Sequence, residues 1–102
     1  MVESTKINLK NKDVRALKNA KELYLCNPTA ITEIDLSFNK IDSLQGLEPF
    51  QNVSHLILDN NSLGSLKTLP FMPGLIVLSL SNNQLRDVDN TLGQIDNACP
   101  NI

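Results

Sequence analysis

Between residues 31 and 91 aliphatic positions return on a step of 22 residues. Ile31, Val53 and Leu75 are in register, as are Ile34, Leu56 and Leu78, then Leu36, Leu58 and Leu80, then Ile41, Leu63 and Leu85. One polar residue recurs in the same frame: Asn39, Asn61 and Asn83. The pattern runs on through Leu44, Leu66 and Val88, then Leu47 and Leu69, then Phe50 and Met72. Each block reads L-x-x-L-x-L-x-x-N-x-L with conservative aliphatic exchange.

Side chains two apart share one face of a strand, so Ile34 with Leu36 and their equivalents predict short strands with one face in the core. Stacked copies of such a unit place these strands side by side in a parallel sheet. The turn that follows leaves backbone groups without ladder partners, and an asparagine amide supplies both donors and an acceptor to meet them. Asn39, Asn61 and Asn83 are therefore expected inside, each sparing the protein about 1–3 kcal/mol per orphaned group.

This is a leucine-rich-repeat pattern. It predicts an α/β solenoid with a short curved parallel sheet on its concave face, and turns and short 3-10 helices on its convex face. The expected division is an atypical amino-terminal cap over 1–30, repeats over 31–52, 53–74 and 75–96, and the start of a truncated repeat over 97–102. In the cap, Ile7, Leu9, Val14, Leu17, Ala20, Leu23 and Leu25 fit the pattern only with a 16-residue step. A helical turn near Asp13–Lys18 and a strand near Glu22–Leu25 are expected there. At the other end the frame drifts at Leu92 and Ile95, and "ACPNI" reads as the run-in to a strand with Ile102 in its first core position. An array needs capped ends, so self-association through this carboxyl end is one expectation.

Composition changes the picture little: 102 residues, no tryptophan and two cysteines fit one aliphatic-cored domain. The formal charge of −2 conceals an asymmetry, since residues 1–21 hold six basic and two acidic residues and the remainder three basic and nine acidic. A basic start attracts nucleic acid or anionic lipid, or simply solvates a cap. Neither a signal-peptide run nor a membrane span is legible. Cys26 and Cys99 lack metal-type spacing and read as reduced thiols of a cytoplasmic protein, with the nucleus as the alternative, rather than a secreted one.

Catalytic signals are sparse. His55, the sole histidine, has no nucleophile or metal motif around it. Phosphate-loop glycine patterns are lacking too, so no enzyme, no cofactor, no metal and no small-molecule substrate are expected. Binding is the better expectation. Residues between core positions would face a partner, and Tyr24, Glu33, Asp35, His55, Ile57, Asp59, Val77 and Ser79 are the predicted contact set, with Tyr24 joining the Asp35–Ile57–Ser79 row. An apolar centre with an acidic rim suits a protein with a basic rim. The rival is an RNA- or ribonucleoprotein-associated role through the basic segment Lys6–Lys21, which the acidic strand face disfavours.

The repeat unit resembles the short class found in the nuclear protein-phosphatase regulatory subunit, acidic nuclear phosphoproteins and a spliceosomal subunit. More narrowly, "IDLSFN" (34–39), "ILDNN" (57–61) and "CPN" (99–101) are similar to segments of the leucine-rich melanocyte differentiation-associated protein family, over about residues 31–101. That resemblance implies an intracellular adaptor of membrane-trafficking type that engages a Rab-like small GTPase.

Overall fold

The computed structural model describes residues 5–102, so residues 1–4 of the expected cap lie outside the described residues. The elements are β1 (Lys6–Asn8), α1 (Lys21–Leu25), β2 (Glu33–Asp35), β3 (His55–Ile57), β4 (Val77–Ser79) and α2 (Val88–Ala98), with 3-10 turns at Leu17–Asn19 and Pro28–Ala30. The four strands form one parallel sheet in sequence order. Its central row, Ile7–Ile34–Leu56–Leu78, faces the core. Beyond the sheet, Leu36, Leu58, Ile41, Leu63, Leu44, Leu66, Leu47 and Phe50 complete that core, each essentially without solvent contact.

The asparagines do what their register requires. Asn61 Oδ1 accepts from Ile41 N–H at 3.0 Å, and its Nδ2 donates to Leu36 O at 2.9 Å and Leu58 O at 3.0 Å. Asn83 repeats this one coil later, with Leu63 N–H as donor and Leu58 O and Leu80 O as acceptors. Asn39 accepts from Lys12 and Val14 N–H and donates to Leu9 O and Leu36 O. Each amide therefore ties its own turn to the preceding coil, and no buried side-chain nitrogen or oxygen among the described residues lacks a partner.

The amino-terminal reading is corrected. Strand β1 pairs with β2 through Ile7 and Ile34, a step of 27 residues rather than 16. Five additional residues thus enter the first coil, whose return path holds the 3-10 turns and α1. Segment 22–25 is helical, not extended. Leu23 and Leu25 mimic a strand's alternation, yet only Leu23 is buried, while Leu25 is 75% exposed. Residues 13–16 are not the expected helical turn, which comes instead at Leu17–Asn19.

The carboxyl segment also departs from the frame. Asp87 caps α2 by accepting from Asn90 N–H, a favourable arrangement at a helix start. The helix draws Val88 out of the Leu44–Leu66 row, leaving it 70% exposed, and Leu92 is exposed as well. Ala98 and Cys99 are buried, Ile95 packs against the core, and Gln94 Oε1 accepts from Leu66 N–H at 2.9 Å. Residues 97–102 are the end of α2 and a turn, with Ile102 exposed and Asn101 Nδ2 donating to Pro73 O.

One residue sits uneasily. The position before each asparagine adopts positive φ: Phe38 at 58°, Asn60 at 59° and Asn82 at 58°. Asparagine adopts that conformation readily, whereas phenylalanine adopts it only under strain. The Phe38 ring is about half exposed, and Lys10 Nζ lies 5.5 Å from its centroid. An exposed cation–π contact contributes about 0.5–1 kcal/mol, less than the strain of about 1–3 kcal/mol. Phe38→Asn is therefore expected to raise the melting temperature by about 3–6 °C, corresponding to roughly 1 kcal/mol. A lower melting temperature in a thermal scan would show that the ring contact outweighs the strain.

Candidate functional site

Strand alternation sends the residues beside the core row to the outer face of the sheet. Two rows result: Lys6–Glu33–His55–Val77 and Asn8–Asp35–Ile57–Ser79. Glu33, Asp35, His55, Ile57, Val77 and Ser79 thus come together as expected. Asp59 lies just past β3 and reaches the same surface, because its Oδ1 accepts from Ser79 Oγ at 2.6 Å and Ser81 N–H at 2.8 Å. Asp35 is held similarly, its Oδ1 accepting from Ser37 N–H at 2.9 Å and Ser37 Oγ at 2.7 Å.

Tyr24 is the exception. It lies on α1, outside the sheet, and Asn8 takes the place expected for it in the Asp35–Ile57–Ser79 row. The sequence reading missed Lys6 and Asn8 as members of this face. Their signal was present in Ile7 and Leu9, two apart like Ile34 and Leu36, but the longer first coil concealed the register.

Charge on the face is uneven. Glu33 lies between Lys6 Nζ at 3.5 Å and His55 Nδ1 at 4.0 Å, and Ser54 Oγ is 2.9 Å from the same imidazole nitrogen. Among the described residues neither Asp35 nor Asp59 forms an ion pair. Serine donors orient both carboxylates without neutralising them, so the face presents fixed negative charge. Beside it Ile76 and Val77 are exposed and Ile57 is half-buried. Lys6, Glu33, Asp35, His55 and Ile57 line a shallow depression of about 260 Å³. Charged and aliphatic groups thus meet at one depression of the sheet face.

Elsewhere, Asp13 is exposed and its carboxyl is held below the usual value by a hydrogen bond and charge from Lys40, whose Nζ is 2.7 Å away. Cys26 and Cys99 are free thiols, and burial pushes the Cys99 thiol up, away from the reactive thiolate. Among the described residues no group of three or more His, Cys, Asp or Glu could hold a metal ion. No described helix is long and apolar enough to cross a membrane.

No family model matches the chain, and no solved structure matches it. The matched segment spans 29% of the length of the curated relative found. The expected family resemblance is borne out: over 58 residues, 57% of this chain, the sequence is 41% identical to the leucine-rich melanocyte differentiation-associated protein of Homo sapiens, to which it is therefore similar.

Proposed function

We propose that the chain is a leucine-rich-repeat solenoid that acts without catalysis, binding a partner protein on its sheet face. The observation that carries this reading is the pair of oriented, cation-free carboxylates, Asp35 and Asp59, set beside Ile57, Ile76 and Val77 on one exposed sheet. Aliphatic contact supplies affinity, while fixed charge supplies orientation and selects against acidic partners. As the partner class we propose a Rab-like small GTPase, with an adaptor role in the cytoplasm, on the family resemblance of the repeat motifs.

The test is a paired affinity capture from cell lysate, read by mass spectrometry, with the same baits then titrated against purified Rab-like GTPases. One bait is the wild-type chain and the other carries Asp35→Arg and Ile57→Arg, with circular dichroism confirming that it is folded. Proteins retained by the wild type alone, with affinity lowered at least about tenfold (1.4 kcal/mol) in the variant, support the assignment. Identical captures from both baits overturn it. Loss of a partner that is not a GTPase retains the sheet face and removes the adaptor reading.

A further inference from the structure

The side of the molecule away from the sheet carries a second surface. Leu25 and Tyr24 are adjacent on α1 and are 75% and 64% exposed; no large hydrophobic among the described residues is more exposed than Leu25. Successive helical residues turn by about 100°, so Lys21, Tyr24 and Leu25 share one arc, opposite the buried Leu23. Lys18 stands on the rim of the same region. With Tyr24 it borders an apolar depression of about 370 Å³, whose lining includes Leu17, Leu23, Pro28 and Phe50. Among the described residues neither Lys18 nor Lys21 is in an ion pair.

From this grouping we infer that α1 docks the protein peripherally on a bilayer bearing anionic headgroups. Lysine ammonium groups meet headgroup phosphates and carboxylates, and their stems extend along apolar surface. Tyrosine is the side chain suited to the headgroup level, with its ring in the apolar margin and its hydroxyl in water. Leu25 places hydrocarbon just below it. Charge complementarity decides the class of surface: exposed Lys18 and Lys21 give this patch positive charge in a chain whose formal charge is −2. A nucleic acid would satisfy the lysines equally, but it would leave the Leu25 side chain in water and without a function. The patch is about one helical turn wide, small for a specific protein interface yet sufficient for a deformable lipid surface. Glu22, also exposed, flanks the arc and offsets one of the two lysines, leaving the patch with net positive charge. Bilayer contact here leaves the sheet face accessible, so this inference does not rest on the sheet-face reading.

The experiment is co-sedimentation of the full chain with vesicles of phosphatidylcholine containing about 30 mol% phosphatidylserine, and with pure phosphatidylcholine vesicles, at low and high salt. The expected result is retention on the anionic vesicles only, declining with salt. Lys18→Glu with Lys21→Glu is expected to lower the partition coefficient at least about tenfold. Tyr24→Ser with Leu25→Ser, which removes exposed side chains and so spares the core, is expected to lower it about threefold or more. Equal retention on both vesicle types, or none on either at low salt, overturns the inference. So does unchanged binding by folded Lys18→Glu/Lys21→Glu protein. Binding of a single-stranded RNA oligonucleotide by protein that ignores the vesicles would reassign the lysines to nucleic acid.

Discussion

Asn61→Ala lowers the unfolding free energy by about 3–4 kcal/mol, and Asn83→Ala by about half as much. The difference follows from what each substitution strands. In Asn61→Ala the Ile41 N–H loses its acceptor in a buried setting, at a cost of about 1–3 kcal/mol. The carbonyls of Leu36 and Leu58 keep a second donor, because Asn39 Nδ2 and Asn83 Nδ2 also reach them. The remaining loss comes from the hydrogen bonds themselves, about 1 kcal/mol each, and from a small void. Asn83 lies in the less buried last coil, where water replaces part of what the side chain gave. Urea unfolding followed by circular dichroism measures both. If Asn61→Ala cost less than about 1 kcal/mol, the amide ladder would be incidental to the fold.

Leu44→Ala costs about 2–5 kcal/mol, whereas Val88→Ala changes stability by no more than about 0.5 kcal/mol. The two positions are equivalent in the repeat, 44 residues apart, and sequence alone predicts similar costs. Leu44 is sealed inside, and truncating it removes buried hydrocarbon and leaves a cavity. Val88 begins α2 and is 70% exposed, so there is little burial to lose. A domain of this size is stable by about 5–15 kcal/mol, so Leu44→Ala removes a large fraction of that margin. The same urea titration separates the two variants. A cost above about 1 kcal/mol for Val88→Ala would return residue 88 to the core row.

Much of the outer sheet face was legible for the same reason as the core. Period-two alternation on either side of Ile34, Leu56 and Leu78 sends Glu33 and Asp35, His55 and Ile57, and Val77 and Ser79 outward, once those three are assigned inward. What the pattern did not show was the electrostatic state of those residues. Glu33 is flanked by Lys6, which came into view only when β1 was found 27 residues before β2. Asp35 and Asp59 occupy different repeat positions, yet both are oriented by serine donors: Asp35 by Ser37 two residues on, and Asp59 by Ser79 of the neighbouring strand, a contact that only the stacked coils supply.

Tyr24 shows the limit most plainly. Leu23-Tyr24-Leu25 reads as a strand by alternation, and a run of five residues can satisfy either period. The outcome depended on where the chain already stood: β1 had taken the sheet's first position, and the return path beyond the core favoured a helical turn. Tyr24 was thereby moved from the sheet to the surface for which lipid contact is inferred.

Sequence by itself determined the repeated unit: strands about Ile34, Leu56 and Leu78, the aliphatic core row, and the inward-turned asparagines. Each of these rests on residues within a few positions of one another, where strand geometry and backbone hydrogen-bonding leave few alternatives. Tertiary structure decided the first strand's register, the helical course of 21–25 and 88–98, and the exposure of Val88 and Leu25. Those features depend on which neighbouring coil is present to cover a side chain or accept a backbone bond. A short apolar run does not carry that information.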